Sequence, residues 1–147
     1  MGEQYTGGTV DIAKCFDQVN RELIKQLAIE AGMPYGILDA YLRYQENLLV
    51  HNAVARGIGK GFKRRTGIPQ GCPFSMMYIA LIMRPWARMQ KTEGNFPKVL
   101  ADDILLVATG PLMLRKFADG LAETHQYLVD MGARIAPDKN MNFASTI

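Results

Sequence analysis

Apolar positions change their spacing several times along the chain, and each change predicts an element. Val10 and Ile12 alternate with smaller or polar neighbours, the two-residue period of a short strand. Leu23, Leu27 and Ile29 recur near helical spacing. Asp17 or Asn20 is available as the N-cap, and Gly32 and Pro34 end the helix. A second helix from about residue 37 sets Leu38, Tyr41, Leu42 and Gln45 on one side. Residues 49–55 and 61–66 read as strands joined by the turn Gly57-Ile58-Gly59-Lys60-Gly61. Residues 67–73 carry Gly67, Pro69, Gly71 and Pro73, which excludes regular structure there. Ser75 is then placed to cap an apolar helix that Pro85 ends or kinks. Residues 98–100 and 104–108 are apolar runs flanking Asp102-Asp103, the pattern of a hairpin with an acidic tip. A helix over 112–131 stops at Gly132, and an extended segment follows. Hairpins interleaved with helices predict an α+β fold with an antiparallel sheet and helices on one face.

Composition narrows the class. Of 147 residues, 48% are hydrophobic and 21% charged, values that exclude a disordered or collagen-like chain. The longest apolar run, residues 76–83, is too short to span a bilayer, so no membrane contact is expected. Residues 1–5 lack the basic start and apolar stretch of a signal peptide, and two cysteines cannot staple a chain of this length. The expectation is an intracellular protein, nuclear or cytoplasmic, with reduced thiols. No repeat or linker marks a boundary, so residues 1–147 read as one domain.

Charge is distributed unevenly. Residues 1–42 have a net charge of −3, residues 43–98 carry 10 basic and 2 acidic side chains, and residues 99–147 return to −2. A basic middle between acidic ends suits a polyanionic partner, and it also suits a solvated basic face.

Asp102 and Asp103 are the least ordinary local feature. Adjacent carboxylates between apolar runs repel each other, which a solvated hairpin turn tolerates and a divalent cation with hard oxygen ligands relieves. Asp11, embedded in an apolar strand, supplies a third ligand where its strand lies beside the hairpin. Carboxylates so placed hold a pair of Mg²⁺ ions ~3.5–4 Å apart in phosphoryl transfer, with Mn²⁺ as a substitute. Asp17 falls where a helix N-cap belongs and is assigned that role. His51 and His125 have no neighbouring ligand pattern for zinc.

Four segments in order resemble the palm motifs of reverse transcriptases. They are Asp11-Ile12-Ala13-Lys14-Cys15-Phe16-Asp17, Gly67-Ile68-Pro69-Gln70-Gly71-Cys72-Pro73-Phe74-Ser75, Leu100-Ala101-Asp102-Asp103, and the stretch from Gly132 to Lys139. The run Gln70-Gly71-Cys72-Pro73-Phe74-Ser75 is most similar to non-LTR, LINE-type retrotransposon enzymes, with group II intron enzymes next. The resemblance implies a polymerase palm that copies RNA into DNA, with an RNA template, a DNA primer duplex and dNTPs as partners.

Position by position, the resemblance implies Asp11 and Asp102 as principal metal ligands, with Asp103 beside them and the Ile12 carbonyl as a further ligand. The backbone of Ile12, Ala13, Lys14, Cys15 and Phe16 would meet the incoming triphosphate. Phe16 matches the bulky gate that excludes a ribose 2′-hydroxyl; it is also a natural core residue at a strand–helix junction. Pro69, Gln70 and Gly71 would support the template and the nascent base pair, where small residues let backbone approach closely. Lys63, Arg64 and Arg65 precede that loop as phosphate contacts or as a solvated edge, with strand alternation setting Arg64 apart from the other two. Lys139 matches a proton donor to pyrophosphate. Cys15 and Cys72 read as small apolar packing residues.

Leu100 stands where the family usually has an aromatic two places before the paired aspartates, which preserves bulk but removes a ring near the primer end. The resemblance covers the palm and not fingers or thumb, so the isolated chain is expected to extend primers barely or not at all. Two other functions remain open: a truncated or domesticated palm that binds nucleic acid or a partner without catalysis, and a generic Mg²⁺ phosphodiesterase.

Overall fold

The computed structural model describes residues 4–145. Its centre is a four-stranded antiparallel sheet in the order β6-β7-β1-β8, built from β1 (Tyr5–Asp11), β6 (Asn95–Leu100), β7 (Asp103–Thr109) and β8 (Met141–Ala144). Between β1 and β6 come α1 (Cys15–Gln18), α2 (Arg21–Glu30), α3 (Tyr35–Asn47), two small ladders, and α4 (Ser75–Thr92). The ladders pair β2 (Leu49–Val50) with β5 (Phe62–Lys63), and β3 (Ala53–Val54) with β4 (Gly57–Ile58). Helix α5 (Met113–Asp130) and a 3-10 turn, Pro137–Lys139, lead back to the sheet. The expected α+β palm architecture is thus present.

Strand alternation explains the layering. Thr6 and Val10 of β1 and Ile104, Leu106 and Ala108 of β7 are all buried on one face, against α4 and α5. Trp86 of α4 is fully buried there and donates its indole N–H to Thr124 Oγ1 at 2.9 Å. The sheet's helix-free face carries Asp11 and Asp103, one directly opposite the other in the β1–β7 register.

Several local expectations need correction. Helix α2 buries Ile24 and Ala28, while Ile29 is half exposed, because α4 meets the stripe one position on from Leu23 and Leu27. Asn20 alone caps this helix, accepting from the Glu22 N–H at 2.9 Å. Asp17 is no cap. A separate turn of helix begins at Cys15 after Lys14 takes a left-handed φ of 52°, so Asp17 falls inside it.

Ser75 is the first helical residue of α4 rather than its cap, and its hydroxyl donates backward to the Cys72 carbonyl at 2.7 Å. Pro85 does not end α4, which runs on to Thr92; buried Tyr78, Ile79, Ile82, Met83 and Trp86 hold the helix across the lost hydrogen bond. The turn expected over 57–61 lies at Ala55-Arg56 instead, because Val54 pairs with Gly57. The acidic hairpin is likewise displaced by one residue. Leu100 pairs with Asp103, so the two-residue turn is Ala101-Asp102, with Ala101 at a φ of 57°, and Asp103 opens β7.

Candidate catalytic site

The three sequence-selected aspartates meet at one end of the sheet. The Ile12 N–H donates to the Asp102 carbonyl at 3.4 Å, which ties the hairpin turn to the end of β1. Beside it, Asp11 and Asp103 form a cross-strand pair of like charges, an arrangement that costs stability unless a cation offsets it. Lys139 supplies one: its ammonium lies 3.3 Å from Asp11 Oδ2 and 3.5 Å from Oδ1. The Asp11 side chain is 17% exposed, so this contact is partly shielded from water. Asn140, which the motifs did not single out, accepts from the Asp11 N–H through Oδ1 at 3.1 Å. Its only sequence signal is its place beside Lys139.

A buried thiol lies behind the carboxylates. Burial first, and then the negative charges of Asp102 and Asp11, push Cys15 up to about 11. It remains a neutral, apolar packing group at neutral pH, as its sequence context suggests.

The segment expected to meet a triphosphate is partly engaged within the protein. The Ile12 N–H bonds the Asp102 carbonyl, and the Ala13 N–H donates to the Arg134 carbonyl at 2.8 Å. Gln18 braces this segment, donating to the Ala13 carbonyl and accepting from the Arg134 N–H at 3.2 Å. Phe16 is half-buried against the core, and its carbonyl accepts from the Ile68 N–H at 2.7 Å. The Phe16 segment and the glycine–proline loop are therefore neighbours.

That loop separates two clefts. One, of about 590 Å³, lies between α3 and the loop and is lined by Tyr41, Tyr44, Gln70 and Phe74. Burial raises the Tyr41 hydroxyl far above its usual range, and it donates no charge to this cleft. The other, of about 250 Å³, is lined by Asp17, Arg21, Arg64, Pro69 and Gln70. Gln70 touches both. Lys63, the last residue of β5, and Arg65 beyond the strand are exposed, while Arg64 is paired with Asp17 at 2.6 Å.

As a metal site the donor set fits a hard divalent ion, because every candidate side-chain ligand is a carboxylate. The side chains are not gathered around one point. Among the described residues no group of three or more His, Cys, Asp or Glu side chains is arranged to hold a metal, and Lys139 is the cation in contact with Asp11.

Sheet order, helix placement and the acidic turn beside a buried strand define a polymerase palm. The sequence matches the family described as reverse transcriptase (RNA-dependent DNA polymerase) over residues 2–146, and the chain belongs to that family. Solved structures agree on the fold. Apo telomerase from Candida tropicalis, truncated from its C-terminal domain, superposes with a TM-score of 0.72 at 17% identity, covering 100% of this chain and 32% of that one.

Telomerase from the same organism in complex with a fragment of telomeric RNA gives a TM-score of 0.72 at 15% identity, covering 97% of this chain and 26% of that one. The Candida albicans telomerase complex gives 0.71 at 16%, covering 98% and 27%. The chain thus spans about a third or less of the length of those telomerases. Sequence comparison with curated proteins finds no match.

Proposed function

We propose that this chain is the palm of an RNA-directed DNA polymerase of a mobile element, non-LTR in type and intracellular, that copies an RNA template onto a DNA primer from dNTPs. The observation that carries the reading is the placement of Asp11 and Asp103 opposite each other beside the Asp102 turn, with the Phe16 segment and the 67–71 loop adjoining. A structural sheet end gains nothing from three neighbouring carboxylates.

Asp11, Asp102 and Asp103 would hold Mg²⁺, with the Ile12 carbonyl as a further oxygen. Bound there, the ions would neutralise charge on the primer oxygen and the triphosphate. The protein's own part is positional. Phe16 would limit the space at the sugar, and Gln70, which lines both clefts, would meet the base pair. Lys63 and Arg65 are free for phosphate contacts, and no Asp or Glu lies between Glu46 and Glu93 to oppose a polyanion there. Lys139, once released from Asp11, is a proton source near the leaving group. The telomerase neighbours solved with an RNA fragment support a nucleic-acid partner for this fold.

The test is incorporation of labelled dTTP on a poly(rA)·oligo(dT) duplex with Mg²⁺, with protein in excess over primer. Parent protein is expected to add nucleotide slowly, and Asp11→Asn to add none. Addition that survives Asp11→Asn, or a duplex affinity that does not fall as salt rises, would overturn the proposal.

A further inference from the structure

The first and second motif segments are joined along their backbones. The Gly67 N–H donates to the Val19 carbonyl at 2.8 Å, and the Ile68 N–H to the Phe16 carbonyl at 2.7 Å. Thr66 Oγ1 donates to the Asp17 carbonyl at 3.3 Å. Arg21, from the next helix, donates Nε to the Gly67 carbonyl at 3.1 Å and Nη1 to the Gln45 carbonyl at 3.4 Å. Approach at Gly67 is close enough that a Cβ there would lie 2.8 Å from the Asp17 carbonyl oxygen, at a φ of 87° that already favours glycine.

One side-chain ion pair closes this seam on its solvent side. Arg64 Nη1 lies 2.6 Å from Asp17 Oδ1, with the two side chains 40% and 37% exposed. Both belong to segments that the reaction uses for other purposes. Asp17 directly follows Phe16, and Arg64 leads into the loop that carries Gln70. Asp17 caps no helix, so its carboxylate has no local structural task.

We propose that Asp17 and Arg64 are positioning residues. Their ion pair latches the 67–71 loop against the Phe16 segment, and so sets the spacing between the sugar gate and Gln70. The nucleotide half of this statement rests on the polymerase reading above; the latch half does not.

Arg21 holds the loop's Gly67 carbonyl from beneath, where burial lowers its guanidinium below the usual value without discharging it. The lower seam therefore persists when the outer pair is broken. Loss of the latch should loosen the loop locally without unfolding the domain, since an exposed pair of this kind adds little to global stability.

Two measurements on the 147-residue chain test this, comparing the parent, Asp17→Asn, Arg64→Gln and the swapped double variant Asp17→Arg/Arg64→Asp. The first is hydrogen exchange at the Gly67 and Ile68 amides. Each single variant is expected to speed exchange there by about threefold, with little change in melting temperature, and the swap to restore it. Unchanged exchange in the single variants would overturn the latch.

The second is binding of Mg²⁺·dTTP and Mg²⁺·UTP to the complex with poly(rA)·oligo(dT). The single variants are expected to narrow the dTTP-over-UTP preference by a similar factor, and the swap to recover it. Exchange that responds while the preference stays fixed would overturn the positioning role. A parent that binds neither nucleotide would overturn the polymerase reading itself, and the exchange data would still decide the latch.

Discussion

The Lys139 ammonium stands 3.3 Å from the Asp11 carboxylate, on the residue that Asp103 faces across the strand pair. It offsets repulsion between the two aspartates in the place where a divalent ion would do so. In the proposed site, lysine and a divalent ion would therefore compete for Asp11. Lys139→Ala should tighten Mn²⁺ binding by about two- to fivefold, the range of a partly exposed ion pair. Titration followed by Mn²⁺ electron paramagnetic resonance reads this directly. Equal affinities in parent and variant would show that the pair does not contend with metal.

The same competition has a sign in thermal stability. A bound ion stabilises the folded state by RT ln(1 + [ion]/Kd), so the melting temperature rises with ion concentration above Kd. Asp102→Asn should shrink that rise and leave the metal-free protein as stable or slightly more so, because one of the crowded charges is gone. Scans with and without millimolar Mn²⁺ check it. Identical curves for the parent would remove the metal site from this sheet end.

Phe16 sits half-buried with its carbonyl bonded to Ile68, so its backbone place does not depend on its ring. Phe16→Val should then keep dTTP incorporation near the parent's while raising ribonucleotide use by tenfold or more, about 1.4 kcal/mol of lost discrimination. Incorporation of matched ribo- and deoxynucleotides, measured on one template, gives the ratio. A ratio that does not move assigns the gate elsewhere.

Sheet and helix order are legible in the sequence because apolar runs change period sharply around Val10, Ile104 and Trp86. Register is less so. Whether Asp102 or Asp103 lies opposite Asp11 depends on which two residues close the hairpin, and Ala101 takes a left-handed conformation that its side chain does not advertise. Asp17 shows a different limit. Its local context suits a cap, and only the fold brings Arg64 to it across 47 positions. Asn140 and Arg21 act through backbone groups of distant segments, a kind of contact that composition and spacing do not encode.

Gly120 lies inside α5 where substitution normally helps a helix. In an exposed helix Gly→Ala gains about 1 kcal/mol. Here a Cβ would meet Asn95 Nδ2 and, at 2.5 Å, Gln90 Oε1. Those two atoms bond each other at 3.0 Å, and both side chains are buried. The intruding methyl must part them, so Gly120→Ala should destabilise by about 1–3 kcal/mol. For a domain of this size that is a fall of roughly 3–10 °C in melting temperature. A stabilised variant would mean that the Gln90–Asn95 bond yields without cost.

Cys15 makes the folded state sensitive to alkaline pH in a direction that follows from its surroundings. Burial and the charges of Asp102 and Asp11 raise the folded thiol to about 11, against 9.0 for an ordinary one. Below pH 9.0 both states keep the proton, and the stability is fully present. Above it the unfolded chain releases its proton first, so stability falls until the folded thiol also ionises near pH 11. Cys15→Ala removes this component while other alkaline titrations remain. The parent should therefore lose more melting temperature than Cys15→Ala on going from neutral pH to about pH 10. At neutral pH the folded parent should also resist alkylation by iodoacetamide at Cys15, since the neutral thiol is the poorer nucleophile and is shielded. Equal losses in the two proteins would mean that Cys15 reaches water, and that the floor beneath the aspartates is open.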